Sequence, residues 1–216
     1  MNNEILQQCT LYKNLNANEL TYALNFFHAQ ERSFKKNEFL HMAGEPLPQF
    51  GLVLSGNIRV FMDDFDGNRM IMANVVPGIT FGESLCYLKA DPLVYIESVT
   101  DSAVLLMDTE SLHNPAKVPT LMDLELTKRF TTMLAERTLS LNDRIQILSK
   151  LSIRQKVITL LSQFASQEGK ASFTLPFGRE TMATYLGVNQ NALSRVLGQM
   201  EQENIIRFKG RSFQIL

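Results

Sequence analysis

The chain has 216 residues, of which 45% are hydrophobic and 20% charged, with a net charge of −1. That balance describes a soluble globular protein with room for two modest domains, not a disordered or fibrous one. No apolar run approaches the ~20 residues that span a bilayer. The polar, acidic start MNNEILQQCT is unlike a signal peptide, so a cytoplasmic protein with no membrane partner is expected.

Two cysteines, Cys9 and Cys86, form no CxxC pair, and His28, His41 and His113 are scattered. Neither set has metal-ligand spacing, so no metal and no cofactor is expected. The net charge hides an asymmetry: residues 150–216 carry +5 and residues 1–149 carry −6. A basic end on an acidic body suits phosphate contact at that end.

In chain order, Asn16-Ala-Asn-Glu19 reads as a helix N-cap with a carboxylate three residues later. Leu20, Ala23, Leu24 and Phe27 continue it as a short amphipathic helix. From Ser33 the period changes to short apolar stretches: Glu38–Met42, Gly51–Ser55, Asn57–Phe61, Arg69–Val75, Thr80–Phe81, Tyr95–Val99 and Ala103–Met107. Gly44, Gly56, Asp66-Gly67 and Pro77-Gly78 punctuate them, and the Asp-Gly pair signals a hairpin. Many short strands with regular turns predict a small antiparallel roll.

Beyond Pro119 the pattern is helical. Phe130, Leu134, Leu141, Ile145 and Leu148 recur at steps of four, seven, four and three, with Arg137 where a heptad would continue. This stripe predicts a long helix with a coiled-coil-like seam; the alternative is a helix lying on its own roll, and a single long helix can serve both, one face on the roll and another on a partner's copy. A break at Ser149–Ser152 separates it from a helix over Ile153–Ser166. The expected domain boundaries are residues 1–118 (β-roll), 119–149 (long helix) and 150–216 (carboxy-terminal domain).

The last domain centres on Gly178–Phe208. Thr181, Met182, Tyr185 and Leu186 give a first helix an apolar side, Gly187 supplies the turn and Asn189 caps a second helix. In that helix Ala192, Leu193, Val196, Leu197 and Met200 form one stripe, leaving Gln190, Asn191, Ser194 and Arg195 on the other face. This is the layout of a helix-turn-helix, whose second helix enters the major groove; an ordinary helical hairpin packed into a core is the alternative with the same spacing. A strand over Ser172–Leu175, with Ile206–Phe208 and Ser212–Ile215 around Lys209-Gly210-Arg211, completes a winged helix.

The order of these elements resembles the cyclic-AMP receptor protein/fumarate-and-nitrate regulator (Crp/Fnr) family of bacterial transcription factors. The resemblance is carried in the roll by Gly44-Glu45, Leu54-Ser55-Gly56, Asp66-Gly67, Pro77-Gly78 and Phe81-Gly82-Glu83-Ser84. In the DNA-binding domain it is carried by Gly187-Val188, Leu193-Ser194-Arg195-Val196-Leu197 and Glu203-Asn204-Ile205-Ile206. It implies an α+β chain: a cyclic-nucleotide-binding-like antiparallel β-roll, a long dimerisation helix and a winged helix-turn-helix. It also implies a homodimer reading a palindromic site on double-stranded DNA, with RNA polymerase as a further candidate partner.

Arg195 matches the family position that donates to a guanine edge, and Gln190, Asn191 and Ser194 are the other expected base readers. Asn191 stands where the best-known members carry a glutamate; an amide pairs naturally with adenine, a carboxylate with cytosine. Arg179, Lys209 and Arg211 are expected phosphate contacts, which position the protein without reading sequence.

The sensor half departs from the family pattern. Cyclic-nucleotide-binding members carry an Arg-Ser or Arg-Thr pair about ten residues after the Gly-Glu motif, where this chain has Leu93-Val94. A buried phosphate without a cation is costly, so cyclic AMP is not the expected ligand. The expected effector pocket is lined by Met70, Met72, Phe81, Glu83, Leu93, Val94 and Tyr95, with Leu141 and Asn142 from the long helix. Haem, through Cys86 or a histidine, is a minor alternative.

The expected function is a dimeric, sequence-specific transcription regulator controlled by a small effector other than cyclic AMP. The main alternative is an effector-independent regulator of the same fold, and a lesser one is a ligand-binding module acting on a protein partner. An enzyme is not expected: there is no phosphate-binding glycine loop, nucleophile elbow or zinc-binding pair on one helix.

Overall fold

A computed structural model describes residues 3–66, 69–113 and 118–216, the side chain of Asn3 excepted. The chain divides into two compact units that meet between Ala135 and Glu136.

The first unit opens with α1 (Asn3–Leu6) and α2 (Ala17–Phe26). Asn16 caps α2 as its sequence predicts: its side chain accepts from Asn18 and Glu19 N–H, and Glu19 accepts in return from Asn16 N–H. There follow β1 (Gln30–Phe34), β2 (Phe39–His41), β3 (Phe50–Ser55), β4 (Ile58–Asp63), β5 (Arg69–Val75) and β6 (Thr80–Phe81). Then come α3 (Glu83–Leu88), β7 (Tyr95–Ser98), β8 (Ser102–Met107) and α4 (Glu110–His113). Helix α5 (Leu121–Leu148) begins in this unit.

The strands form two four-stranded antiparallel sheets, ordered β1-β8-β3-β6 and β2-β7-β4-β5. One core includes Phe34, Val53, Ile58, Phe81, Ile96 and Val104, drawn from both sheets. A second core joins Leu52, Leu54, Leu105 and Met107 to the helices, through Leu6, Tyr12, Phe27, Leu126 and Phe130. With alternate residues in different cores, β3 is buried along nearly its whole length. The expected roll is therefore present. Gly67 of the expected Asp66-Gly67 turn lies outside the described residues.

Four elements had no sequence reading: the four-residue helices α1 and α4, strand β1 and helix α3. Strand β1 reads QERSF and buries only Phe34, so it pairs with β8 while showing no apolar alternation. Helix α3 has only six residues, too short for a helical period to register.

The second unit contains the carboxy-terminal part of α5, α6 (Ile153–Glu168), β9 (Ser172–Thr174), α7 (Arg179–Leu186) and α8 (Gln190–Gln202). Strands β10 (Ile206–Lys209) and β11 (Ser212–Ile215) complete a three-stranded antiparallel sheet ordered β10-β11-β9. Its core gathers Ile147, Val157, Leu160, Leu161, Phe173, Leu186, Leu193, Leu197, Met200, Ile206 and Phe213. Helix α5 thus feeds both cores, with Leu126, Phe130 and Met133 in the first and Ile147 in the second.

Candidate nucleic-acid interface and sensor region

Helix α8 is held at both ends. Its N-cap Asn189 accepts from Asn191 N–H at 2.9 Å and Ala192 N–H at 3.3 Å. Gly187 ends α7 in the left-handed region, at φ 62°. A Cβ there would also meet Leu148 Cδ2 at 3.4 Å, so the turn rests on α5. At the far end, Glu203 pairs with Arg154 of α6 at 2.6 Å, and the hydrogen bond from Arg154 holds its carboxyl below the ordinary range.

Further side chains brace α7. Lys156 donates to the Leu186 carbonyl at 3.0 Å, capping the end of α7 with a cation where the helix dipole is negative. Arg144 of α5 lies 5.6 Å from the Tyr185 ring centre. Burial raises the Tyr185 hydroxyl pKa, and Arg144 opposes that shift.

This bracing presents a defined outer face. Leu193, Leu197 and Met200 are buried, while Gln190, Asn191, Ser194 and Arg195 are exposed. Lys209 and Arg211 are exposed on the wing. Arg207 is a cation that the sequence reading passed over; it is exposed on β10 opposite Gln214, and its alternation with buried Ile206 was the available signal. Arg179 is not a freely solvated cation. Its guanidinium lies 4.7 Å from the Phe208 ring centre and 5.7 Å from that of Phe213, a cation–π contact that joins the start of α7 to the wing. Burial lowers its pKa.

Within the first unit, the residues expected to form the effector pocket fall at positions of different character. Phe81 is 4% exposed and fills the first unit's core; a Cβ on Gly51 would stand 2.2 Å from its ring. Tyr95 does not point into that core. Ile96 does, so its neighbours Tyr95 and Glu97 face the other side of the sheet. There Tyr95 stacks on Phe61 at 5.1 Å, and Arg69 covers Phe61 at 3.7 Å.

Glu83 is buried, Met70, Met72 and Leu93 are exposed, and Val94 is half-buried. Leu141 and Asn142 are exposed on the part of α5 that belongs to the second unit. Position 93 itself carries no charge; on the sheet that holds Tyr95, Arg59 and Arg69 approach Glu97 at 3.0 and 3.5 Å, and Arg59 Nε is buried without a hydrogen-bond partner.

A cavity of about 190 Å³ lies instead beside Cys86, lined also by Pro46, Leu47, Pro48, Lys89, Thr109 and Glu110. The buried Cys86 thiol donates to the Pro48 carbonyl at 3.2 Å, and burial pushes its pKa up, which favours a neutral thiol over a metal-binding thiolate. His28 contacts Asp108 at 3.0 Å, His41 is buried, and the His113 ring lies tilted against Tyr87 with centres 4.5 Å apart. Among the described residues no group of three His, Cys, Asp or Glu is placed to hold a metal ion. None of their helices is long and apolar enough to cross a membrane.

The expected dimer seam also changes. Phe130 is 2% exposed and packs against Phe27, Phe50 and Tyr87 of its own unit. Leu134 is half-buried on the same core, whereas Leu141, Ile145 and Leu148 are exposed. Steps of four, seven, four and three admit both a core-facing residue (Phe130) and outward ones (Leu141, Ile145, Leu148) into one stripe. A stripe in alternating steps of three and four runs Leu124, Thr127, Thr131, Leu134, Thr138, Leu141, Ile145, Leu148, all exposed except the half-buried Leu134. Thr127 and Thr131 donate their hydroxyls to the carbonyls four residues back, at 2.8 and 2.9 Å, which leaves methyl groups on the stripe.

A β-roll followed by a long helix and a winged helix-turn-helix defines a DNA-binding transcription regulator, not an enzyme. The comparisons agree. The cyclic nucleotide-binding domain matches residues 31–116, and the Crp-like helix-turn-helix domain matches residues 155–216. Electron transport regulator A of Shewanella oneidensis is 23% identical over 203 residues, covering 91% of this chain and 78% of the relative. The Thermus thermophilus catabolite activator protein structure has a TM-score of 0.52 at 22% identity, covering 96% of this chain and 93% of that one. FixK2 of Bradyrhizobium japonicum has a TM-score of 0.52 at 26% identity, covering 87% and 92%. The chain belongs to the Crp/Fnr family of transcription regulators.

Proposed function

We propose that this regulator works as a homodimer that reads a palindromic DNA site, with Gln190, Asn191, Ser194 and Arg195 at the bases and Arg179, Lys209 and Arg211 at phosphates. The observation that carries the reading is the exposed quartet on α8, set on a helix braced at both ends, in the basic part of the chain. A forked guanidinium at Arg195 fits guanine O6 and N7, and the Asn191 amide fits adenine N6 and N7. Arg179 keeps its stacking on the wing while an outward edge of its guanidinium meets a phosphate.

The heptad stripe on α5 supports pairing with a second copy, since an exposed line of leucine, isoleucine and threonine methyls is what a two-helix seam buries. Two-fold pairing would set two recognition helices on half-sites about one helical turn apart.

Selection of bound duplex from a random pool tests the reading, with sedimentation of the full chain to give its oligomeric state. A palindrome with a guanine in each half-site and a dimer are the expected results. Sequence-indifferent binding, or a monomer that still selects a palindrome, would count against it.

For control, the absence of a cation at Leu93-Val94 favours an effector other than cyclic AMP. A second reading, regulation without an effector, is favoured by the Phe81 ring filling the roll over Gly51. Thermal-shift measurements on the full chain separate them: stabilisation by a small molecule supports the first, and uniform failure across cyclic nucleotides, haem and aromatic acids supports the second.

A further inference from the structure

Helix α8 contains a glycine in its interior, Gly198, four residues short of its end. Glycine there is less stable than alanine, because it loses more backbone freedom on folding. Three structural reasons commonly keep a glycine inside an element, and none applies. Gly198 has no positive φ, unlike Gly187 at the helix-ending turn. The helix runs unbroken from Gln190 to Gln202, so no break is made there. Nor does any neighbour crowd it: a Cβ added at Gly198 finds nothing within 4 Å, whereas one at Gly51 would stand 2.2 Å from Phe81.

Its direction is informative. Gly198 lies three, four and seven residues after Arg195, Ser194 and Asn191. At 3.6 residues per turn those offsets put all four on one face of the helix. That face is opposite the buried Leu193, Leu197 and Met200. The missing side chain therefore leaves a gap in the centre of the outer face, one turn beyond the proposed guanine reader.

We propose that Gly198 is a specificity-determining clearance position, at which the wall of the DNA major groove comes against the backbone of α8. This rests on the DNA-reading role of that face proposed above. A side chain at 198 would hold the helix away from the groove and lengthen the contacts of Arg195 and Asn191 with base edges. Gly198 supplies no charge, so it acts on the depth of insertion and not on the number of phosphates neutralised.

The test compares the full-length wild type with Gly198→Ala and Gly198→Leu. Each is titrated with a duplex that the wild type has selected from a random pool, and with an unrelated duplex of equal length. Gly198→Ala is expected to raise Tm by about 2–4 °C through helix propensity. The same variant is expected to bind the selected duplex about tenfold more weakly, with Gly198→Leu weaker again. Affinity for the unrelated duplex should change less, and the salt dependence of binding should keep its slope.

Gain of stability with loss of specific binding is the signature, and misfolding cannot produce it. The proposal is overturned if Gly198→Ala binds the selected duplex as tightly as the wild type, or if its Tm falls. If the wild type selects no sequence at all, the DNA-reading role fails first, and the clearance role with it.

Discussion

In the carboxy-terminal unit, packing residues and outward residues alternate along a single helix, so the buried stripe of α8 defines its outer face by subtraction. The β-roll behaves differently. Roll residues expected to share one pocket are divided among the core (Phe81), the opposite face of a sheet (Tyr95) and exposed positions (Met70, Met72, Leu93). A helix carries its own reference frame, because 3.6 residues per turn relate every side chain to every other. A pocket in a two-sheet roll depends on which face of each strand turns inward, and one bulge changes that assignment. Strand β4 has such an irregularity between Val60 and Phe61 where it pairs with β5, the strand bearing Met70 and Met72.

The sharpest way to break this contrast lies in the roll. Phe81→Ala should cost about 3–5 kcal/mol, as loss of a buried aromatic does. Met70→Ala, at a side chain 52% exposed, should stay within about 0.5 kcal/mol. Urea unfolding of the full chain, followed by circular dichroism, measures both. Equal and small effects would mean that Phe81 lines a space and does not fill one.

On the helix the corresponding variant acts on binding. Arg195 is exposed, so Arg195→Ala should leave Tm near the wild-type value. It should weaken binding to the selected site by about 1–3 kcal/mol and relax preference at the guanine. Lys209→Ala should act differently, weakening all sequences alike and reducing the salt slope by about one unit. Competition titrations at several salt concentrations distinguish them. If Arg195→Ala lost affinity equally on every sequence, its position would be that of a phosphate contact and the division of roles on this surface would be wrong.

The legibility of the sequence follows the same contrast. The Asn16 and Asn189 caps, the Arg69–Val75 and Thr80–Phe81 strands and the α8 core stripe could be read because each rests on local spacing. Strand β1 could not, because its place comes from backbone pairing to β8, some seventy residues away, and not from its own polar side chains. Phe130 was placed on the seam because a helix with two apolar stripes satisfies one spacing rule in more than one way. Only the position of Phe27 and Phe50 decides which stripe is its own. Arg179 likewise reads as a surface cation until the fold brings Phe208 and Phe213 beneath it.

The smallest expected effect is a pH dependence confined to the first unit. His41 is 6% exposed, and burial lowers its pKa, against opposing influences from Glu45 and the Pro92 carbonyl. A histidine whose folded pKa is depressed is neutral in the fold but takes up a proton more readily when unfolded. The stability tied to it is therefore complete above the ordinary value of about 6.5 and is lost as pH falls through the lower folded value. Wild-type Tm should fall more steeply than that of His41→Gln between pH 7 and pH 5, two values chosen to bracket about 6.5. Arg195→Ala, with its change on the outer face of α8, should follow the wild-type curve. A steeper fall in His41→Gln than in the wild type would show that protonated His41 is stabilised in the fold, with Glu45 outweighing burial.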